Sequence, residues 1–292
     1  MSWWKNFADR MQQDVPLARM TWFRLGGNAR CLFRPRDAQD LSCLMSRAAE
    51  QRVPVKVLGV GANVLVRDDG FDGVVVRLDA PALKHVERLD DSWMVGGGGD
   101  LMPLSRDLSE QGWSGLECMA GIPATVGGAV KMNAGGRFGE IGTVVREILL
   151  VTRSGDLETW SADRLGFGYR RSNITDQIVV RVTMQLAQDD PRESSGRYAE
   201  YFAYKERSQP MKDRSAGCVF KNPTGASAGA LIDRAGLKGL ACGGASVSEK
   251  HANFIVTRPD ARACDVIRLI EKIREAVGKA FGIELETEVD IW

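Results

Sequence analysis

The chain has 292 residues, 44% of them apolar and 26% charged, an ordinary globular composition with material for two or three domains. Its 39 lysines and arginines against 38 aspartates and glutamates leave a formal charge of +1, which argues against nucleic acid or an anionic membrane surface as partner. Six cysteines with no CxxC pair, and only two histidines, leave no zinc site of the usual spacing, so no metal is expected. No apolar run approaches the ~20 residues of a membrane helix. The segment Met1–Phe7 lacks the apolar core of a secretory leader. A cytoplasmic protein with reduced thiols is the expectation.

The first clear element is a helix opening at Asp37, a good N-cap, with Ala38, Leu41, Leu44, Met45 and Ala48 at helical spacing. Short β-rich runs follow at Val53–Leu58, Val64–Val66 and Val74–Leu78, separated by glycine and aspartate. Further strands are expected at Trp93–Val95, Ile148–Val151 and Ile178–Met184, a helix near 103–111, and a glycine-rich loop region over 112–142. The polar stretch Gln188–Gly196 reads as a linker. A strong helix is expected from Asp260 to Phe281, with the stripe Val266, Leu269, Ile270, Ile273, Val277 and Phe281 and a stop at Gly282. After it, Ile283, Leu285, Thr287, Val289 and Ile291 alternate with Glu284, Glu286, Glu288 and Asp290, the pattern of a half-buried strand with an acidic outer face.

Two glycine runs suit a phosphate-bearing cofactor. Gly59-Val60-Gly61-Ala62-Asn63 lies between two strands, and Gly121–Gly128 lies in the loop region. Glycine allows close backbone approach, and consecutive N–H groups can hold a pyrophosphate. The first run is not the dinucleotide fingerprint, because position 64 is valine and a strand follows. Each run alone is also what a tight turn requires.

Seven segments, in order, together resemble one family. They are Thr21–Ala29, Gly59–Asn63, Gly121–Gly135, Tyr169–Ser172, Gly217–Pro223, Lys250–Phe254 and Glu288-Val289. The chain is similar in these to the UDP-N-acetylmuramate dehydrogenases, also called UDP-N-acetylenolpyruvylglucosamine reductases, from about residue 20 to the C-terminus. The short interval from Arg170 to Cys218 resembles the family's shorter type. The resemblance implies an α+β fold: an FAD-binding pair of lobes of the vanillyl-alcohol-oxidase kind, over 1–80 and 81–188, and a C-terminal substrate-binding lobe over 197–292 whose final strand packs back near the active site. It implies noncovalent FAD, NADPH as co-substrate, and a UDP-sugar as substrate. The reaction is reduction of UDP-N-acetylglucosamine enolpyruvate to UDP-N-acetylmuramate for peptidoglycan synthesis, by a monomer with no nucleic-acid or membrane partner.

The implied FAD contacts are Gly59, Val60, Gly61, Ala62, Asn63 and Val64, with Gly121, Ile122, Pro123, Thr125, Gly127, Gly128 and Ala129. Arg170 matches the arginine that stabilises the enolate, a task suited to a fixed charge with a planar fork of donors. Glu288 matches the family's second acid, though a solvated edge explains its three acidic neighbours, and Asp290 departs from the usual basic residue. Cys218 stands where most members carry serine; a thiol, with an ordinary pKa near ~8.5, is a competent proton donor. Lys205, Asn222 and Asn253 match substrate positions, and Lys205, Arg207, Lys212, Arg214 and Lys221 make a basic segment suited to an anionic substrate. Cys31, Cys43, Cys118, Cys242 and Cys264 read as small buried apolar groups. Two rivals remain: a flavin oxidase on the same scaffold, for whose covalent tether only His85 and His251 are available, and a binding homologue without turnover.

Overall fold

The computed structural model describes Trp4 and residues 7–292; Met1, Ser2, Trp3, Lys5 and Asn6, most of the segment read for a leader, lie outside the described residues. The first elements are β1 (Met11–Pro16), β2 (Asn28–Phe33), α1 (Ala38–Glu50), β3 (Val55–Val57), β4 (Val64–Leu65) and β5 (Phe71–Val76). Next come β6 (Val86–Leu89), β7 (Ser92–Gly96), α2 (Leu101–Glu110), β8 (Trp113–Ser114), α3 (Val126–Lys131), β9 (Gly135–Gly136) and β10 (Gly139–Glu140). Then follow β11 (Val145–Val151), β12 (Leu157–Ser161), α4 (Ala162–Leu165), β13 (Ile178–Gln185), β14 (Ala187–Gln188) and α5 (Pro191–Ser208). The last are α6 (Ala228–Arg234), β15 (Ala241–Cys242), β16 (Ala245–Val247), β17 (Ile255–Thr257), α7 (Ala263–Phe281) and β18 (Asp290–Ile291).

The chain divides into two compact units. One comprises residues 1–13, 31–60 and 72–204; the other comprises 14–30, 61–71 and 205–292.

The larger unit holds two cores. The first lies under α1, whose Leu41, Leu44, Met45 and Ala48 are buried as their spacing requires, with Val74, Val76 and Val180 packed in the same cluster. The Asp37 side chain accepts the Asp40 N–H at 2.8 Å and caps α1 as expected. β3 and β5 pair in parallel, in a sheet of order β1-β2-β5-β3. The second core belongs to an antiparallel sheet of order β12-β11-β13-β7-β6, with Val126, Ala129 and Val130 of α3 buried against it. The smaller unit packs α6 and α7 with the antiparallel strands β15-β16-β17. Val266, Leu269, Ile270, Ile273 and Val277 are buried along α7, and Gly282 takes the left-handed conformation (φ 68°) at its end.

Four expectations are corrected. The 112–142 region contains a helix, α3, because the Thr125 side chain accepts the Gly128 N–H and starts one turn. The supposed linker 188–196 runs into α5: Asp190 accepts the Arg192 N–H at 2.7 Å and Pro191 occupies the first turn, a start signal that polar composition concealed. α7 begins at Ala263, not Asp260, because Asp68 takes the N–H groups of Ala263 (2.9 Å) and Cys264 (3.1 Å). The final strand is regular only at Asp290–Ile291. Upstream, Glu288 and Val289 both donate to the Val219 carbonyl (2.8 and 3.4 Å) and Arg274 Nε takes that of Leu285, which breaks the ladder.

Candidate active site

In the larger unit, Gly59 and Val60 follow β3 and line a cleft of about 310 Å³, open solvent included, with Gly97, Gly98, Asp79 and Thr125 also in its wall. A β-carbon on Gly59 would stand 2.7 Å from Thr125 Oγ1, one on Gly97 2.1 Å from the Val179 carbonyl, and one on Gly98 1.9 Å from that of Leu78. Only glycine fits at these three positions. The run Gly96–Gly99 carries no implied contact in the sequence reading, although four consecutive glycines were its signal.

The two glycine runs use their amides differently. The N–H groups of Val126 and Gly127 donate to Gly99 and Gly97 (2.8 Å each), and that of Gly128 to Thr125 Oγ1 (3.3 Å). Those of Gly59, Val60, Gly61 and Ala62 donate to no group among the described residues. The start of α3 is thus stapled to the Gly97–Gly99 turn through Val126 and Gly127, whereas the N–H groups of Gly59 and Val60 make no such bond. Gly121 turns the chain at φ 71°. Ile122 and Pro123 are half-buried behind it, and Ala129 is buried.

Arg170 is half-buried, on a turn closed by mutual backbone bonds of 3.1 Å between Gly168 and Arg171. Its φ of 53° is left-handed, a conformation costing a non-glycine residue on the order of 1 kcal/mol. Its Nη2 donates to the Gly135 carbonyl at 2.7 Å, and its guanidinium lies 5.3 Å from the Tyr169 ring centre.

The smaller unit brings Cys218 and Glu288 close along the backbone. Gly217 (φ 73°) turns the chain into Cys218, which is half-buried and forms an antiparallel bridge with Phe254. The next residue, Val219, donates to Asn253 at 2.9 Å and accepts from Glu288 at 2.8 Å. Glu284, Glu286 and Asp290 are exposed, whereas Glu288 is half-buried, so the uniform acidic face is corrected at this residue. Asn63 Nδ2 donates to the Glu288 carbonyl at 3.1 Å, Asp290 N–H to the Asn63 carbonyl at 3.0 Å, and Val64 pairs with Asp290. Gly61 (φ 74°) sits against the Met20 carbonyl, where a β-carbon would come within 2.1 Å; Ala62 follows it, half-buried.

The expected substrate residues fare unequally. Asn253 is 3% exposed and spends both ends of its amide on Phe220, accepting from its N–H (3.0 Å) and donating to its carbonyl (2.8 Å), which makes it a strut for the Cys218 strand. Asn222 is exposed, and its Oδ1 accepts the Ala228 N–H at 2.9 Å at the start of α6. Lys205 is buried at 7% exposure. In the basic segment Lys221 pairs with Glu286 at 2.5 Å, while Arg207, Lys212 and Arg214 are exposed. Of the other cysteines, Cys31 and Cys118 are buried, Cys242 and Cys264 half-buried and Cys43 exposed, which corrects the buried reading for the last. Burial pushes the His251 imidazole below its ordinary pKa, and its Nδ1 accepts the Asn253 N–H at 3.2 Å. Among the described residues no cluster of acidic, histidine and cysteine side chains could hold a metal, and no helix is long and apolar enough to cross a membrane.

The model of an FAD-binding domain matches residues 29–161 and that of the UDP-N-acetylenolpyruvoylglucosamine reductase C-terminal domain matches residues 209–292. The fold is that of FAD-binding proteins: cholesterol oxidase from B. sterolicum, at 18% identity, aligns with a TM-score of 0.50 over 62% of this chain and 38% of its own, a likeness of fold alone. An FAD fits the residues present, because the N–H groups of Gly59 and Val60 can face its phosphates in the cleft walled by Gly97 and Gly98, where a β-carbon would strike backbone carbonyls. Fold and site thus define an FAD-binding oxidoreductase.

The chain is 42% identical to the UDP-N-acetylenolpyruvoylglucosamine reductase of Paramagnetospirillum magneticum over 98% of this chain and 94% of the relative. It is 42% identical to that of Heliobacterium modesticaldum over 98% and 92%. The crystal structure of UDP-N-acetylenolpyruvylglucosamine reductase from Thermus caldophilus superposes with a TM-score of 0.84 at 39% identity, over 97% of this chain and 99% of that one. The chain belongs to the UDP-N-acetylenolpyruvoylglucosamine reductase family.

Proposed function

We propose that this chain reduces UDP-N-acetylglucosamine enolpyruvate to UDP-N-acetylmuramate with NADPH, as a cytoplasmic monomer supplying peptidoglycan synthesis and hence cell shape and division. The observation that carries the reading is the backbone link from Val219 to Glu288, which keeps Cys218 and a half-buried carboxylate in neighbouring positions within a family member. FAD, held noncovalently, would supply hydride chemistry between NADPH and the enolpyruvyl methylene carbon. The Gly59-Val60-Gly61-Ala62-Asn63-Val64 run would hold its pyrophosphate, and the Gly121–Ala129 segment would surround the flavin. We also retain the division into two cofactor lobes, 1–80 and 81–188, and a substrate lobe, 197–292.

Hydride arrival leaves negative charge on the neighbouring carbon and its carboxylate. Arg170, fixed by Gly135, offers the enolate oriented donors that need no rearrangement. The Cys218 thiol delivers the proton to that carbon, leaving a thiolate to be reprotonated, and Glu288 is the second acid. Exposed Arg207, Lys212 and Arg214 draw in the diphosphate, with Asn222 and Lys205 at its contacts. Asn253 serves by holding the strand that carries Cys218.

Anaerobic titration tests the reading. NADPH should bleach the bound flavin and UDP-N-acetylglucosamine enolpyruvate should restore its colour with formation of UDP-N-acetylmuramate. Restoration by oxygen alone, with the enolpyruvyl compound inert, would move the chain to the oxidase reading. Flavin retained in an acid-precipitated pellet would show a covalent tether.

A further inference from the structure

The MNAGG stretch after α3 contains a side chain with no part in the chemistry above. Asn133 is 1% exposed and left-handed at φ 46°. Its amide makes three hydrogen bonds, one to Gly168 and two to the segment Glu140–Gly142. Nδ2 donates to the Gly168 carbonyl at 3.1 Å and to Glu140 Oε2 at 2.7 Å, while Oδ1 accepts the Gly142 N–H at 3.0 Å. A β-carbon on Gly142 would lie 2.7 Å from that Oδ1, so the fit is close.

Gly168 opens the four-residue turn whose third residue is Arg170. A positive φ at that place suits glycine or asparagine and is unfavourable for arginine, so something outside the turn must hold it. Three bonds tie the turn to the chain leaving α3: Asn133 Nδ2 to Gly168, Arg170 Nη2 to Gly135 at 2.7 Å, and Ser172 Oγ to the Lys131 carbonyl at 2.5 Å. Asn133 alone among them also reaches Glu140 and Gly142, on either side of the turn after the β9–β10 hairpin, whose Gly135 carbonyl receives the guanidinium. One buried amide thereby sets both the backbone of Arg170 and the acceptor of its side chain.

We propose that Asn133 is a positioning residue that holds Arg170 in its strained, substrate-facing conformation. The inference rests on the reading of Arg170 given above. Displacing a charge donor by about 1 Å costs on the order of 10²-fold in rate, whereas a loosened fold would lower cofactor content first.

The test compares four holoenzymes with wild type in single-turnover half-reactions. Asn133→Gly removes the amide without backbone strain, since glycine accepts φ 46°. Asn133→Asp in a Glu140→Gln background keeps the acceptor for Gly142 and deletes the donor to Gly168, should the glycine variant fold poorly. Glu140→Gln alone retains an acceptor for Nδ2 and serves as control. Arg170→Lys reports on the parent reading. Both Asn133 variants should keep their flavin content and their rate of reduction by NADPH, and lose roughly 10- to 100-fold in reoxidation by UDP-N-acetylglucosamine enolpyruvate, in kcat more than in KM. Reoxidation at the wild-type rate in either folded variant overturns the proposal, as does a parallel loss of flavin and of both half-reactions. If Arg170→Lys slows both halves alike, the reading of Arg170 fails; if it is selective and Asn133→Gly is not, the positioning role alone fails.

Discussion

The Glu288 N–H donates to the carbonyl oxygen of Val219 at 2.8 Å, across 69 positions of chain, and Val219 is the residue next to Cys218. Two groups able to handle protons are thus held in neighbouring positions by backbone bonds that do not depend on either side chain. Variants at Cys218 and Glu288 should therefore alter chemistry while leaving this part of the fold intact.

Cys218→Ala should still be reduced by NADPH but should lose nearly all reoxidation by the enolpyruvyl substrate. Cys218→Ser should keep substantial activity, because a hydroxyl in the same place can donate the proton. Peroxide or an alkylating agent should inactivate wild type and spare Cys218→Ser, with bound substrate slowing the loss. Exposed Cys43 will also react, and the serine variant controls for it. Near wild-type turnover in Cys218→Ala would transfer the donor role to Glu288.

Arg170→Lys should lose roughly 10²- to 10³-fold in the substrate half-reaction and little in flavin reduction. Lysine keeps a charge but lacks the planar fork that can hold the Gly135 carbonyl and still face a carboxylate. Stopped-flow traces of the two halves separate these effects.

Gly128→Val should purify with little flavin but melt at the temperature of flavin-stripped wild type, since only the cofactor's contribution to stability is lost. A β-carbon there meets only Thr125 Oγ1, at 3.1 Å, and the position is exposed, so the fold can accept it. The added side chain would occupy the surface that the cofactor approaches. Full flavin content would place the cofactor elsewhere.

Asp68→Ala should destabilise the smaller unit by roughly 0.5–2 kcal/mol, the range for losing a helix cap, because the first N–H groups of α7 lose their acceptor. Burial alone would raise the Asp68 pKa. The N–H bonds from Ala263 and Cys264, with Arg262 nearby, outweigh it and hold the carboxyl below its ordinary 3.8. A depressed folded-state pKa gives stability that is present at neutral pH and disappears as pH falls below about 3.8 towards the folded value. Urea melts of wild type and Asp68→Ala should thus differ at pH 7 and converge in strong acid.

The amphipathic elements were legible because their signals are local. The Asp37 cap and the stripe from Val266 to Val277 each repeat within a few residues, and each stands where the pattern puts it. The Asp190–Pro191 start of α5 was equally local, yet hidden by a polar stretch that resembles a linker. The glycine runs could be read along the chain, but that Gly99 and Gly97, some thirty positions upstream of α3, take the N–H groups of Val126 and Gly127 could not.

By itself the sequence determined the α+β class, the membership carried by seven ordered segments, and the residue types available for proton transfer and anion binding. Only the tertiary structure decided among chemically identical candidates. Glu288 differs from Glu284 and Glu286 in its burial and in the bonds its backbone makes to Val219 and Asn63, the latter 225 positions away. Asn253 became a strut because Phe220 lies against both ends of its amide, and the Arg170 turn is tied down where its Gly168 carbonyl meets Asn133 and its guanidinium meets the Gly135 carbonyl. Hydrophobic periodicity reports on neighbours a few residues apart, whereas these roles are set by hydrogen bonds that close only after distant segments have packed.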